Sequence, residues 1–155
     1  VVMQNKDLTI VHAGDSRAYI INEEAIKSLT TDHTYVEHLY QNGLISKEEK
    51  DTHPNRNIVT KVIGTQKSLE PEIIQIKNAF LHQSKLLLCS DGLYDYLSDA
   101  EMMEMVNAMD KASAAELMIN TAKQRGGHDN ISVIIVERVG KNLIEETKKT
   151  KEVSA

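Results

Sequence analysis

Two aspartates stand next to short apolar runs in a way that suits metal binding. Asp91 follows the run 86–89, and Asp129 comes just before a second run, 131–136. A short, evenly apolar run predicts a strand buried on both faces, and such a strand holds an adjoining carboxylate in a fixed position. Two rigidly held carboxylates are suitable ligands for a hard divalent cation. Taken singly, each aspartate is better explained as a turn former, Asp91 in an Asp-Gly turn and Asp129 before an asparagine.

A third carboxylate, Asp15, lies between two further strand patterns. Residues 8–12 alternate as a strand does, residues 13–16 carry glycine, aspartate and serine, and residues 17–22 alternate again. Two such runs joined by a short turn predict a β-hairpin with Asp15 at its tip.

The composition narrows the class of protein. The chain has 155 residues, of which 41% are hydrophobic and 26% charged, and this balance is typical of one soluble globular domain. A net charge of −5 without a basic block argues against a nucleic-acid partner. No apolar stretch has transmembrane length and no signal-peptide pattern is present, so we expect a cytoplasmic protein without a membrane partner. Cys89, inside an apolar run, is expected to be a core residue rather than a reactive thiol.

The order of the elements predicts an α+β fold. Strand patterns come first, and a polar segment at 34–57 follows with two short helices, the second opened by a capping box at Ser46. We expect this segment to be a mobile surface element. After Pro71, an edge strand is predicted at 70–77. Two more capping boxes, at Ser98 and Ser113, predict two helices, and the strand 131–136 follows them.

The two ends of the chain carry expectations of their own. The chain enters a strand pattern almost at once, so we expect it to be the C-terminal portion of a larger protein. Residues 1–140 are expected to form this portion of one domain, with 34–57 as a flap-like insertion. Residues 141–155 mix acids and lysines with little apolar content and are expected to form a charged tail.

Five sequence blocks, taken in order, resemble the metal-dependent protein phosphatases of the PPM, or protein phosphatase 2C, type. Each block alone is a weak signal, but their shared order and spacing from about residue 8 to residue 136 are specific, and the short polar segment resembles the flap of the bacterial members. The blocks are GDSRAY at 14–19, LTTDHT at 29–34, HPNRNIVTKVIG at 53–64, LLLCSDGLYDYL at 86–97 and GGHDNISVIIV at 126–136.

The resemblance implies a fold and a metal centre. The fold is an antiparallel β-sandwich flanked by helices in αββα layers, with two or three Mn²⁺ or Mg²⁺ ions in a cleft at one end. By matching motifs, Asp91 and Asp129 would hold the two-metal centre, and Asp15 and Asp95 would hold a third ion together with Asp91. Bound in pairs, such ions activate a water for in-line attack on a phosphoryl group.

The resemblance also implies a substrate class, phosphoserine and phosphothreonine in proteins modified by a serine/threonine kinase, and a monomeric enzyme. The family's phosphate-binding arginine and general-acid histidine belong to its N-terminal half. No catalytic residue is therefore assignable here, and we expect this chain by itself to be inactive.

Other basic residues have weaker cases. Lys61 stands where relatives carry arginine and is expected near the rim of the cleft, and His128 adjoins Asp129 and is a weak candidate for orienting it. Most histidines lie in polar surroundings and are expected to be solvated. The six histidines are His12, His33, His38, His53, His82 and His128.

Two other functions compete with the phosphatase. One is a non-catalytic PPM-like fragment or pseudophosphatase that acts in partner binding. The other is an unrelated acidic domain that binds divalent cations, in which case Asp15, Asp91 and Asp129 need not converge.

Overall fold

The computed structural model describes residues 1–65, 68–79 and 83–138, and the predicted tail at 141–155 lies outside these ranges. Within them the chain forms seven strands and five helices. In chain order they are β1 (Val2–Gln4), β2 (Asp7–His12), β3 (Arg17–Ile21), β4 (Ile26–Ser28), α1 (Tyr35–Gln41), α2 (Lys47–Thr52), β5 (Glu72–Ile76), β6 (Lys85–Cys89), α3 (Asp91–Tyr94), α4 (Asp99–Ala108), α5 (Lys111–Gln124) and β7 (Val133–Glu137).

The strands form two antiparallel sheets that pack face to face, which confirms the predicted sandwich. One sheet has the order β1-β2-β5 and the other β4-β3-β6-β7, so β5 is an edge strand as predicted. Leu8 of the first sheet packs against Leu86 of the second, and each is only 1% exposed. Strand alternation places both side chains on the inner faces.

Helices α4 and α5 cover the other face of the four-stranded sheet. Tyr19 and Leu87 point to this side and pack with Met102 of α4 and Met118 of α5. Cys89 lies in the same core, and burial raises the pKa of its thiol to about 12, which confirms its expected role as a core residue. No helix in the three described ranges is long and apolar enough to cross a membrane.

The outer face of the three-stranded sheet is open. Val11 is 56% exposed and Ile73, its partner on β5, is 63% exposed. Residues 1–65, 68–79 and 83–138 thus supply three layers, namely helices, a four-stranded sheet and a three-stranded sheet. The second helical layer of the expected αββα arrangement is not found in this part of the chain.

The predicted hairpin around Asp15 is wrong. His12, at the end of β2, pairs with Glu72 of β5, whereas Arg17, at the start of β3, pairs with Cys89 of β6. Residues 13–16 therefore cross from one sheet to the other instead of joining two paired strands. Alternation and turn residues look the same in both cases, so local sequence could not separate them.

Two of the three predicted capping boxes are present. Ser46 and Ser98 cap α2 and α4 with the full reciprocal pair of hydrogen bonds. The box at Ser113 is wrong, because α5 begins earlier and is capped by Asp110. The Asp110 carboxylate accepts from the backbone amides of Ala112 at 3.0 Å and Ser113 at 3.1 Å. Because Asp110 already accepts from the first free amides of α5, Ser113 lies inside the helix and does not cap it.

The segment 34–57 forms two short helices, as predicted. The side chains of Lys50 and Glu37 make an ion pair that joins α2 to α1. Val36 is the buried residue of α1, at 5% exposed, and α2 has none. The segment is tied to the rest of the chain by the bridge between Thr34 and Val59.

We expect the amides of residues 34–57 to exchange with solvent faster than those of Lys85–Cys89. Little apolar surface is buried by this segment, so local opening costs little free energy. Hydrogen exchange followed by mass spectrometry tests this expectation, with α4 as the control because Met102 and Val106 anchor it. Protection at 34–57 equal to that of Lys85–Cys89 and of α4 would contradict it.

Candidate active site

The four predicted carboxylates line one cleft. The cleft has a volume of about 500 Å³, and its walls include Asp15, Asp91, Asp95 and Asp129. These residues come from the turn after β2, from both ends of α3 and from the loop before β7. The structure thus brings them together, and their role as metal ligands remains a prediction.

Asp91 and Asp95 are positioned by α3. The expected Asp-Gly turn is the first turn of this short helix, which starts directly after β6. The Asp91 carboxylate accepts from the amide of Gly92 at 2.9 Å, and Asp95 lies one turn later on the same side. A buried strand and a helix start therefore fix two of the four carboxylates.

Asp129 is held beside α3 by a clamp centred on Ser90. The Ser90 hydroxyl donates to the carbonyl of Asn130 at 3.0 Å and accepts from the amide of Ser132 at 3.0 Å. Because the Ser132 amide is used in this way, β7 begins at Val133, two residues later than the predicted strand 131–136. The clamp ties the loop that carries Asp129 to the end of β6.

Gly92 makes this close approach sterically feasible. A Cβ at this position would lie 2.5 Å from the Asn130 carbonyl oxygen and 3.1 Å from its carbon. Backbone atoms cannot approach a side chain so closely, so the glycine is needed for the separation between α3 and the Asp129 loop.

Beside Asp15, the wall of the cleft is a network of polar side chains. The Tyr94 hydroxyl donates to the backbone carbonyl of Asp15 at 3.0 Å, and the Arg17 guanidinium lies 3.6 Å from the centre of the Tyr94 ring. Arg17 binds Asp32 in a bidentate pair, with contacts of 3.0 Å from Nε to Oδ1 and 2.7 Å from Nη2 to Oδ2. Burial lowers the pKa of Arg17, but the contacts with Asp32 and Tyr19 together outweigh it, so the pKa is raised.

Sequence reasoning missed the roles of Arg17 and Asp32. Both lie in sequence blocks that carried the family resemblance, yet nothing in their spacing shows that they pair. The available signal was one charged residue inside the otherwise apolar strand β3. Such a residue needs a partner when its side chain is mostly buried, as Arg17 is at 28% exposed.

The electrostatics of the cleft suit a cation. Burial raises the pKa of Asp15, and the nearby charge of Asp91 raises it further. Burial also raises the pKa of Asp95, while Arg56, 3.6 Å away, opposes the shift and Asp91 adds to it. Crowded carboxylates disfavour one another's charged forms, and a bound cation removes this repulsion. An all-oxygen donor set therefore fits Mn²⁺ or Mg²⁺ chemically.

The flap-like segment forms the opposite wall. The residues of this segment that line the cleft include Val36, Lys50, Asp51, Arg56 and Asn57. Sequence reasoning did not single out the two cationic side chains of this wall, Lys50 and Arg56. Lys50 is paired with Glu37, and Arg56 lies 3.6 Å from Asp95.

The basic residues considered from the sequence are distributed differently from expectation. His128 lines the cleft beside Asp129, whereas Lys61 is absent from the lining formed by the described residues and its ammonium lies 3.5 Å from the Glu70 carbonyl. His12 is 7% exposed rather than solvated, because strand alternation turns it inward with Leu8. His33 is also mostly buried, with 13% of its side chain exposed. His38 is exposed, as expected, His53 is partly exposed, and His82 lies outside the described residues.

Known proteins resemble this chain in sequence and in fold. The family model for protein phosphatase 2C matches residues 51–131. A serine/threonine phosphatase, stp, of Listeria innocua is 36% identical over 146 residues, which cover 94% of this chain and 56% of the relative. The crystal structure of the serine/threonine phosphatase Stp1 from Staphylococcus aureus superposes with a TM-score of 0.81 at 37% identity, over 89% of this chain and 54% of that one.

A further solved structure contains metal. The catalytic domain of the serine/threonine protein phosphatase PstP in complex with two manganese ions superposes with a TM-score of 0.77 at 29% identity, over 90% of this chain and 56% of that one. The chain thus spans about half the length of the relatives it matches. Given the family match, the identity and the shared fold, this chain belongs to the protein phosphatase 2C family.

Proposed function

We propose that the protein carrying this chain is a metal-dependent phosphatase that hydrolyses phosphoserine and phosphothreonine in proteins. The observation that carries the proposal is the convergence of Asp15, Asp91, Asp95 and Asp129 in one cleft. Membership of the phosphatase family and a manganese-bound structural relative support it. The rival of an unrelated acidic domain loses its basis with the family assignment.

The carboxylates have distinct proposed roles. Asp91 and Asp129 hold the two-metal centre, and Asp15 and Asp95 hold a third ion together with Asp91. When bound, Mn²⁺ or Mg²⁺ ions supply an activated water and neutralise charge on the phosphoryl oxygens. The clamp at Ser90 keeps the loop that carries Asp129 against the end of β6, next to the start of the helix that carries Asp91.

The remaining residues of the cleft position and attract the substrate. The Arg17–Asp32 pair is nearly inaccessible on the Asp32 side, at 11% exposed, and stiffens the wall behind Asp15. Arg56 is 45% exposed and, with Lys50, faces the cleft from the flap-like segment. A phosphoserine or phosphothreonine carries nearly two negative charges, so the exposed Arg56 guanidinium favours a phosphorylated segment.

The setting of the enzyme follows from the same proposal. Its substrates are the products of a serine/threonine protein kinase, and it acts as a cytoplasmic monomer without a nucleic-acid or membrane partner. Residues 1–140 form the C-terminal portion of one phosphatase domain, with 34–57 as its flap.

A phosphopeptide assay tests the function directly. The complete protein is expected to hydrolyse a phosphothreonine peptide with Mn²⁺ and to lose this activity in EDTA. Residues 1–155 alone are expected to show no turnover, because they span only about half of the relatives' length. Chelator-resistant activity of the complete protein would contradict the proposed chemistry, and full turnover by residues 1–155 would contradict the placement of other catalytic groups elsewhere.

A further inference from the structure

A second cluster of metal-ligating side chains lies outside the cleft. His12, His33 and Glu72 each offer one ligand atom, and these atoms all lie within 4.8 Å of one another. One Glu72 oxygen, Oε2, is 3.9 Å from Nδ1 of His12 and 3.5 Å from Nε2 of His33. None of the three residues lines the cleft that holds the four aspartates.

The backbone brings the three side chains together. His12 and Glu72 are directly paired in the register of β2 and β5, so their side chains lie on one face of the sheet. The loop after β4 carries His33 to this position, where its ring stacks on that of His12 with centroids 4.8 Å apart. Rigid strand pairing thus holds two of the three ligands.

The surroundings of the His12 ring indicate that this cluster binds an ion. Its side chain is 7% exposed, and neither ring nitrogen has a hydrogen-bond partner among the residues that the structure describes. Buried polar groups without partners are rare and destabilising, so such a site needs a reason. An ion bound by an imidazole nitrogen would satisfy it.

The distances suit a tetrahedral ion. Bonds of about 2.0–2.1 Å to zinc at tetrahedral angles put neighbouring ligand atoms about 3.4 Å apart. The observed separations of 3.5 and 3.9 Å from the shared Glu72 oxygen are close to this value. The two histidine nitrogens lie within 4.8 Å of each other, and rotation of the stacked rings on binding would turn both toward one ion. Two imidazoles and one carboxylate are a ligand set that zinc uses with water in the fourth position.

We propose that His12, His33 and Glu72 bind a zinc ion at a site separate from the aspartate cleft. The nitrogen ligands distinguish this site from the cleft, where the four aspartates offer oxygen ligands that suit harder cations. Burial, aided by Lys61 and by His12, lowers the pKa of His33, and this favours the neutral imidazole that binds metal. Glu72 is 39% exposed and gives the ion a route from solvent.

Zinc binding to His33 would also change a hydrogen bond next to the aspartate cleft. The Gly14 amide donates to Nδ1 of His33 at 3.2 Å, so the ring hydrogen of the metal-free histidine is on Nε2. Zinc at Nε2 requires this hydrogen to be lost there and one to be gained at Nδ1, which ends the Gly14 bond. Gly14 directly precedes Asp15, so its amide resonance reports zinc binding.

Zinc retention in the complete protein tests the site. After dialysis against micromolar zinc with Mg²⁺ in large excess, we expect one zinc per chain by mass spectrometry of the metal. The Asp91→Asn variant should retain it, because the cleft is not the site. The Glu72→Gln variant should bind zinc at least tenfold more weakly, whereas Glu70→Gln removes the same charge from an exposed neighbour and should bind as the parent does.

A second variant separates zinc binding from a purely structural role. His12→Leu removes the unpartnered ring, so the zinc-free protein should melt at the same or a higher temperature while zinc binding is lost. Zinc should shift the Gly14 amide resonance in the parent and leave it unchanged in His12→Leu. Absence of retained zinc in the parent, loss of zinc in Asp91→Asn, or equal affinity in Glu72→Gln would overturn the proposal.

Discussion

The Asp129→Asn variant of the complete protein is expected to lose Mn²⁺-dependent hydrolysis of a phosphothreonine peptide while retaining its fold. The amide keeps the size of the side chain and its hydrogen bond from the Asn130 amide, which is 2.6 Å long in the parent. It loses the negative charge on which a proposed ligand of the two-metal centre depends. We expect kcat/KM to fall by at least about 100-fold, because even residues that only support a metal ligand cost 10–100-fold.

The control for this variant is Asp110→Asn, which makes the same chemical change at a residue that does not line the cleft. Asp110 caps α5, and asparagine caps helices equally well, so activity and stability should match those of the parent. Thermal melting and direct Mn²⁺ titration accompany the assay. Full turnover of Asp129→Asn at saturating Mn²⁺ would show that the metal centre is misplaced.

Gly92→Ala is expected to weaken both the fold and the metal centre. The new methyl group would lie 2.5 Å from the Asn130 carbonyl oxygen, and this atom belongs to the backbone, so one of the two segments must move. Overpacking of this kind costs about 1–3 kcal/mol of the free energy of unfolding. The movement separates Asp129 from Asp91, and we expect Mn²⁺ to bind at least about tenfold more weakly, since loss of the groups that orient a metal ligand typically costs about 10–100-fold in affinity.

Gly64→Ala separates the effect on the metal from a general loss of stability. Gly64 has a φ of +90° and open space around a Cβ, so alanine there strains the backbone without meeting another residue. Denaturant unfolding should show that both variants are destabilised, while Mn²⁺ titration should show weakened binding in Gly92→Ala alone. Normal Mn²⁺ affinity in Gly92→Ala would mean that the Asn130 backbone does not set the position of Asp129.

The part of the site that could be predicted from the sequence consists of residues that adjoin a recognisable strand pattern. Asp91 and Asp129 each adjoin an apolar run. Cys89, at the end of β6, pairs with Val133, at the start of β7, so these runs bring both aspartates to the same end of the sheet. Local patterns also placed the capping boxes at Ser46 and Ser98, because each box satisfies backbone groups within three residues of itself.

Other features depended on contacts between distant parts of the chain. The turn containing Asp15 resembles a hairpin, yet it joins two sheets, since β2 pairs with β5 and β3 with β6. Alternation along a strand indicates which side chains share a face of the sheet. It does not indicate which other strand will pair with it. That choice is made by the burial of whole faces, as in the contact between Leu8 and Leu86.

The sequence by itself therefore identified the four aspartates that line the cleft, the α+β class and the family resemblance. These features are encoded in local runs and in the order of the motifs. Only the tertiary structure decided that Arg17 pairs with Asp32 and that His12 meets His33 and Glu72. Residues of one such group are separated by up to 60 positions, from 12 to 72, and side chains so far apart come together only when strand pairing has been completed.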